Sequence, residues 1–195
     1  MPTARPGCST GSRSSAGSER CSPLTCIRKA DIEETEFWRI VGAAREAAGK
    51  DVEERPETLR LELERLPLDT IQSFQRLYET LLRRANRWNL WGAAYLMNGG
   101  CSDDGFRYFR DWLISEGQQV FEQALDNPDS LATVEDADYY DLESFGYVAL
   151  GVFESKGGGE LERDFSDETT IPSGEKWDED DLPGMFPRLA ERFDS

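Results

Sequence analysis

The chain has 195 residues, enough for one domain, with 39 acidic against 22 basic side chains, a net charge of −17 and no histidine. The absence of histidine excludes an imidazole base, a Ser-His or Cys-His nucleophile pair and a His-ligated metal. The acidic balance disfavours binding to a nucleic-acid backbone, which needs Lys and Arg to release counterions, and no apolar run approaches the roughly 18 residues of a membrane span.

Residues 1–32 read as a basic, Ser-rich tail. Its first 30 residues hold six serines and no aromatic side chain, and Arg5, Arg13, Arg20, Arg28 and Lys29 face one acid, Glu19. So few apolar groups cannot offset the entropy of ordering, and the tail is expected to be disordered. It lacks the apolar core of an export signal. A cytoplasmic, reducing location is therefore expected, with Cys8, Cys21 and Cys26 as free thiols.

From residue 33 to 193 the pattern predicts a single all-α domain of about six helices. Thr35 is the expected cap of the first, whose apolar positions Phe37, Val41, Ala44 and Ala48 follow the helical period up to Gly49. A second helix follows Pro56 with Leu59, Leu63 and Leu66 on one stripe. Asp69 and Gln72 suggest a capping box for the third. Its stripe of Ile71, Phe74, Tyr78, Leu81, Ala85 and Trp88 is the clearest in the chain. Asn89 is the expected break before a short apolar helix over 90–97, which Asn98-Gly99-Gly100 ends. Ser102 is the expected cap of the next helix, apolar on most of its circumference and therefore central. A last long helix is predicted over Tyr139–Glu154. The remainder reads as an irregular acidic segment pinned by Trp177, Leu182, Met185, Phe186, Leu189 and Phe193.

The densest cluster of unusual residues is 88–112. Trp88, Trp91 and Tyr95 share one helix face, and Asn89 lies between the two tryptophans. Asn98, Cys101, Ser102, Asp103 and Asp104 occupy the turn, and Arg107 and Arg110 follow on the next helix. Arg107 lies four residues after Asp103 and three after Asp104, so it is expected to pair with one of them. Such a cluster offers either a polar, aromatic-walled pocket at a helix N-terminus or a capped turn with neutralised charges. Cys101 lacks a base and reads as a small packed thiol. Neither a metal site nor a cofactor is expected. Asp103 and Asp104 point apart on a helix, and Gly157-Gly158-Gly159 lacks the Lys-Ser/Thr of a phosphate loop.

Charge is distributed unevenly. Eleven acids and no base lie between Asp111 and Ser155. This stretch predicts either a solubilising surface or a docking face for a basic partner.

The string WNLWGAAYLMNGGCSDDGFRYFRDWLISEG, residues 88–117, resembles the signature of a bacterial family known as domain of unknown function 4240. Residues 35–38 (TEFW) and 176–193 (KWDEDDLPGMFPRLAERF) are similar to its two ends. The resemblance implies a small helical cytoplasmic domain and supplies no catalytic residues. The expected function is an acidic interaction or regulatory module, immunity-like in kind, for a basic protein partner. The alternative is an enzyme or small-ligand domain centred on the Asn98–Asp104 turn and Arg107.

Overall fold

In the computed structural model, which describes residues 31–137, 139–164 and 171–193, α1 (Glu34–Ala48) starts one residue before Thr35. Glu33 is its N-cap and makes no side-chain cap bond. Acids in the first turn suit the positive end of the helix dipole. One of them, Glu34, also accepts the Trp38 indole N–H at 3.0 Å. Gly49, at φ +63°, closes the helix, a conformation that costs glycine little. α2 (Arg55–Glu64) has Pro56 in its first turn and buries Leu59 and Leu63 against α1. Ahead of α1, Ile32 already donates its N–H to Ser73 Oγ at 2.8 Å, and Asp31 pairs with Arg76. The expected tail lies otherwise outside the described residues.

α3 (Leu68–Arg84) carries the predicted stripe, and Ile71, Phe74, Tyr78, Leu81 and Ala85 are all buried. Its expected capping box does not form. Pro67 is the N-cap, so Asp69 already lies inside the helix and accepts from Thr70 N. Gln72 instead exchanges two hydrogen bonds with the backbone of Glu162.

The break after α3 falls at residues 85–87 rather than at Asn89. Ser173 pairs there in a parallel bridge with Arg87, donating to Asn86 O and accepting from Trp88 N. A partner some 87 positions away makes this break, which local sequence cannot announce. Asn89 sits inside α4 (Trp88–Met97) and accepts from Leu90 N.

α5 (Asp103–Ser115) is central as expected: Phe109, Trp112, Leu113 and Ile114 are wholly buried, and α1, α3, α4 and α6 (Gln118–Asp126) pack around it. The helix predicted over Tyr139–Glu154 is shorter. Residues 139–142 are diverted by Tyr140 N donating to Asn98 Oδ1 and Leu142 N to Tyr108 O. A 3-10 turn, Glu143–Tyr147, then leads into α7 (Val148–Ser155). Gly146 lies against the Asp111 carboxylate, where a Cβ would come within 3.0 Å of Oδ1.

The C-terminal segment is more ordered than its composition suggests. It forms α8 (Leu182–Met185) and α9 (Pro187–Phe193), with Leu182, Phe186 and Leu189 buried. Met185, an expected anchor, is 43% exposed and anchors nothing. Asp129 caps α9, its Oδ1 accepting from Arg188 N and Leu189 N at 3.0 Å each. Among the described residues the bridge at Arg87 is the only extended pairing, and no helix is long and apolar enough to cross a membrane.

Folding also redistributes the charge. The base-free stretch 111–155 does not make a base-free surface. Asp111 meets Arg107, Glu116 meets Arg45 and Arg55, Glu122 meets Arg84, Glu135 meets Lys50, and Asp136 meets Arg192. The bases come from α1, α2, α3, α5, α9 and the turn after α1. Linear charge counting misses them because helices far apart in the chain pack side by side.

Candidate functional site

The α4–α5 turn is built as its residues suggest. Gly99 and Gly100 hold φ +63° and +129°, and Ser102 Oγ caps α5 by accepting from Gly105 N at 3.0 Å. Asn98 bonds both backbone groups of Tyr140, which ties the end of α4 to the loop before α7. The Trp91 indole N–H donates to Cys101 O at 3.0 Å. Burial pushes the Cys101 thiol up to about 12, so it is no nucleophile near neutral pH.

The aromatic residues form a continuous stack. Trp88 lies parallel to Trp91 at 5.2 Å, and Trp91 parallel to Phe106 at 5.0 Å. Lys176 covers the outer face of Trp88, and the Arg110 guanidinium sits 4.8 Å from the Phe106 ring centroid. Tyr95 turns the other way, onto Trp177, whose indole N–H donates to Trp88 O at 2.7 Å.

Beside this stack is an open cleft of about 410 Å³. Of the expected site residues it collects Trp91, Asp103, Asp104, Arg107 and Arg110. Asn98, Ser102, Cys101 and Asn89 hold the backbone of the turn and the start of α4, and Trp88 and Tyr95 face the C-terminal segment. The cleft also takes Tyr108, Tyr147 and Arg163, which the sequence reading did not single out. Tyr108 could have been inferred from its place between Arg107 and Arg110. Tyr147 and Arg163 arrive from distant segments with no local signal.

The expected pairing of Arg107 with Asp103 or Asp104 does not occur. Arg107 Nε lies 3.5 Å from Asp111 Oδ2, one turn further along α5. Asp111 is buried and also accepts the Tyr78 hydroxyl. Burial, and then the Asp111 charge, raise the Tyr78 phenol well above its ordinary value. Arg110 Nη1 donates to Leu82 O at 3.1 Å, and Arg163 Nε lies 3.4 Å from buried Glu79. The three arginines of the cleft are thus engaged with carboxylates or carbonyls. Asp103 and Asp104 stay exposed in the first turn of α5, with no ion pair among the described residues. No group of three or more acids or cysteines among the described residues is arranged to hold a metal ion.

Fold and site together define an all-α domain with an acid-rimmed, aromatic-walled cleft beside its central helix. Residues 32–155 match the family described as protein of unknown function (DUF4240), and the chain belongs to that family. The match ends with α7, so the segment 176–193 lies outside it although it packs on the matched part. No curated protein and no solved structure matches the chain.

Proposed function

We propose that this domain is an interaction module that binds a basic protein partner. The observation that carries the reading is the division of charge in the α5 cleft. Its arginines are engaged by Asp111, Glu79 and backbone carbonyls, while Asp103 and Asp104 stand exposed at its rim. Arg107, Arg110 and Arg163 lie in the wall of the cleft, and its exposed charges are the carboxylates of Asp103 and Asp104, beside the rings of Trp91, Tyr108 and Tyr147. That combination suits an ammonium or guanidinium group, which gains from both a carboxylate and an aromatic face. The net charge of −17 adds long-range attraction for a cationic protein.

A small cationic ligand is the second reading, favoured by the cleft volume of about 410 Å³, within the ordinary range for small-molecule sites. Fluorescence anisotropy with a labelled peptide of six Lys-Gly repeats separates the two, with a matched Glu-Gly peptide and free arginine amide as competitors. The interaction reading expects the Lys peptide to bind, the Glu peptide to be ignored and added salt to weaken binding. Displacement by arginine amide at a concentration equal to the Lys peptide would favour the small-ligand reading. No binding of the Lys peptide would overturn the partner reading.

A further inference from the structure

We infer that the docking surface is an extended groove of three consecutive clefts, shaped for a Lys- or Arg-bearing segment of the partner in extended conformation. This rests on the interaction reading above and locates it. The α5 cleft shares Tyr147 with a second cleft of about 420 Å³ between α2 and α7. The second shares Glu53 with a third, of about 410 Å³, between the α1–α2 connection and the loop before the 143–147 turn. Three shallow depressions joined in this way offer side-chain sites along a path, the arrangement that suits an extended chain presenting alternate side chains to one face.

The lining carries the chemistry. Tyr139 is 67% exposed and Tyr147 is 54% exposed, and both are among the few large apolar side chains that the fold leaves open. Tyr147 stands at the junction of the first two clefts and Tyr139 in the third. Acids accompany them throughout: Asp103 and Asp104 at one end, Glu53 in the middle, Asp51 and Asp141 at the other. The bases of the second and third clefts are already matched, Arg60 to Glu57 and Glu64, and Lys50 to Glu135. Counting Arg107, Arg110 and Arg163 of the first cleft as well, five bases line the groove against seven acids, so its net charge is complementary to a basic ligand. A second copy of this acidic chain would bring like charge against it.

The test uses the full chain and two labelled peptides, one of six Lys-Gly repeats and one of two. The long peptide is expected to bind about tenfold or more tighter than the short one, because only it spans more than one cleft. Tyr147→Ala and Glu53→Gln are each expected to weaken the long peptide about fivefold to tenfold. Asp126→Asn removes another exposed acid, outside the groove, and is expected to change binding less than about twofold. Equal losses for Glu53→Gln and Asp126→Asn would overturn the groove, leaving a diffuse charge effect and the interaction reading intact. No binding of the long peptide by the wild-type chain would overturn both. Sedimentation showing a dimer that Tyr147→Ala dissociates would assign the groove to a second copy and overturn the proposed occupant.

Discussion

Arg107 reaches forward to Asp111, not back to Asp103 or Asp104, and this one choice of partner leaves the rim of the cleft anionic. The two kinds of aspartate should therefore behave differently on substitution. Asp103→Asn and Asp104→Asn remove only a favourable interaction with the α5 dipole, about 0.3–1 kcal/mol each. Asp111→Ala strips a buried carboxylate from Tyr78 and Arg107 and should cost roughly 3 kcal/mol or more. Urea unfolding of the three variants checks this. Comparable losses at Asp103 and Asp111 would contradict it.

The folded unit should extend past the family match. Leu182, Phe186 and Leu189 are buried on the rest of the domain, and each contributes about 1.5–3 kcal/mol by burial. Their combined loss is comparable with the whole stability of a typical domain, about 5–15 kcal/mol. A chain ending at Ser155 is expected to lose cooperative thermal unfolding by circular dichroism. Gly92→Ala probes the same contact locally, since a Cβ there would lie 2.7 Å from Leu182 Cδ2. It should cost about 1–3 kcal/mol.

Alkaline pH should destabilise the fold through Tyr78. Burial and Asp111 raise its folded pKa above the ordinary tyrosine value of 10.0, so the folded state holds the proton more tightly than the unfolded chain. The stability linked to Tyr78 is complete below pH 10.0 and is lost as pH climbs from there towards the folded value. The urea midpoint should fall above that pH, and Tyr78→Phe should flatten the fall while lowering stability at neutral pH. An unchanged alkaline slope in Tyr78→Phe would contradict the assignment.

Cys101 should resist alkylation. With its thiol held up to about 12 by burial, little thiolate exists at pH 8. Mass mapping after iodoacetamide treatment of the native chain should find Cys101 unmodified, and unfolding in urea should expose it to reaction.

The periodic positions of α3 and the capped turn at Ser102 were legible in the sequence because both are set by neighbours within one or two turns. The break at Arg87 was not, because Ser173 makes it. The same reason hid the shortening of the helix before α7, which Asn98 enforces on Tyr140. In the candidate site, the helical spacing brought Trp91, Asp103, Asp104, Arg107 and Arg110 to one cleft, but it could not choose between two carboxylates for Arg107. Asp111 wins because it is buried and needs a cation, whereas Asp103 and Asp104 can keep their water. The pairing of several acids after Asp111 was hidden for a similar reason, since their bases lie on helices remote in the chain.

The central claim is that the exposed rim acids of the α5 cleft bind a cationic segment. Its most direct test is the affinity of the Asp103→Asn/Asp104→Asn double variant for the peptide of six Lys-Gly repeats, at low and at physiological ionic strength, beside its unfolding free energy. The account predicts about a tenfold or greater loss of affinity, a weaker salt dependence than wild type, and stability changed by no more than about 2 kcal/mol. A double variant that binds the peptide as tightly as wild type, with the same salt dependence, would contradict it.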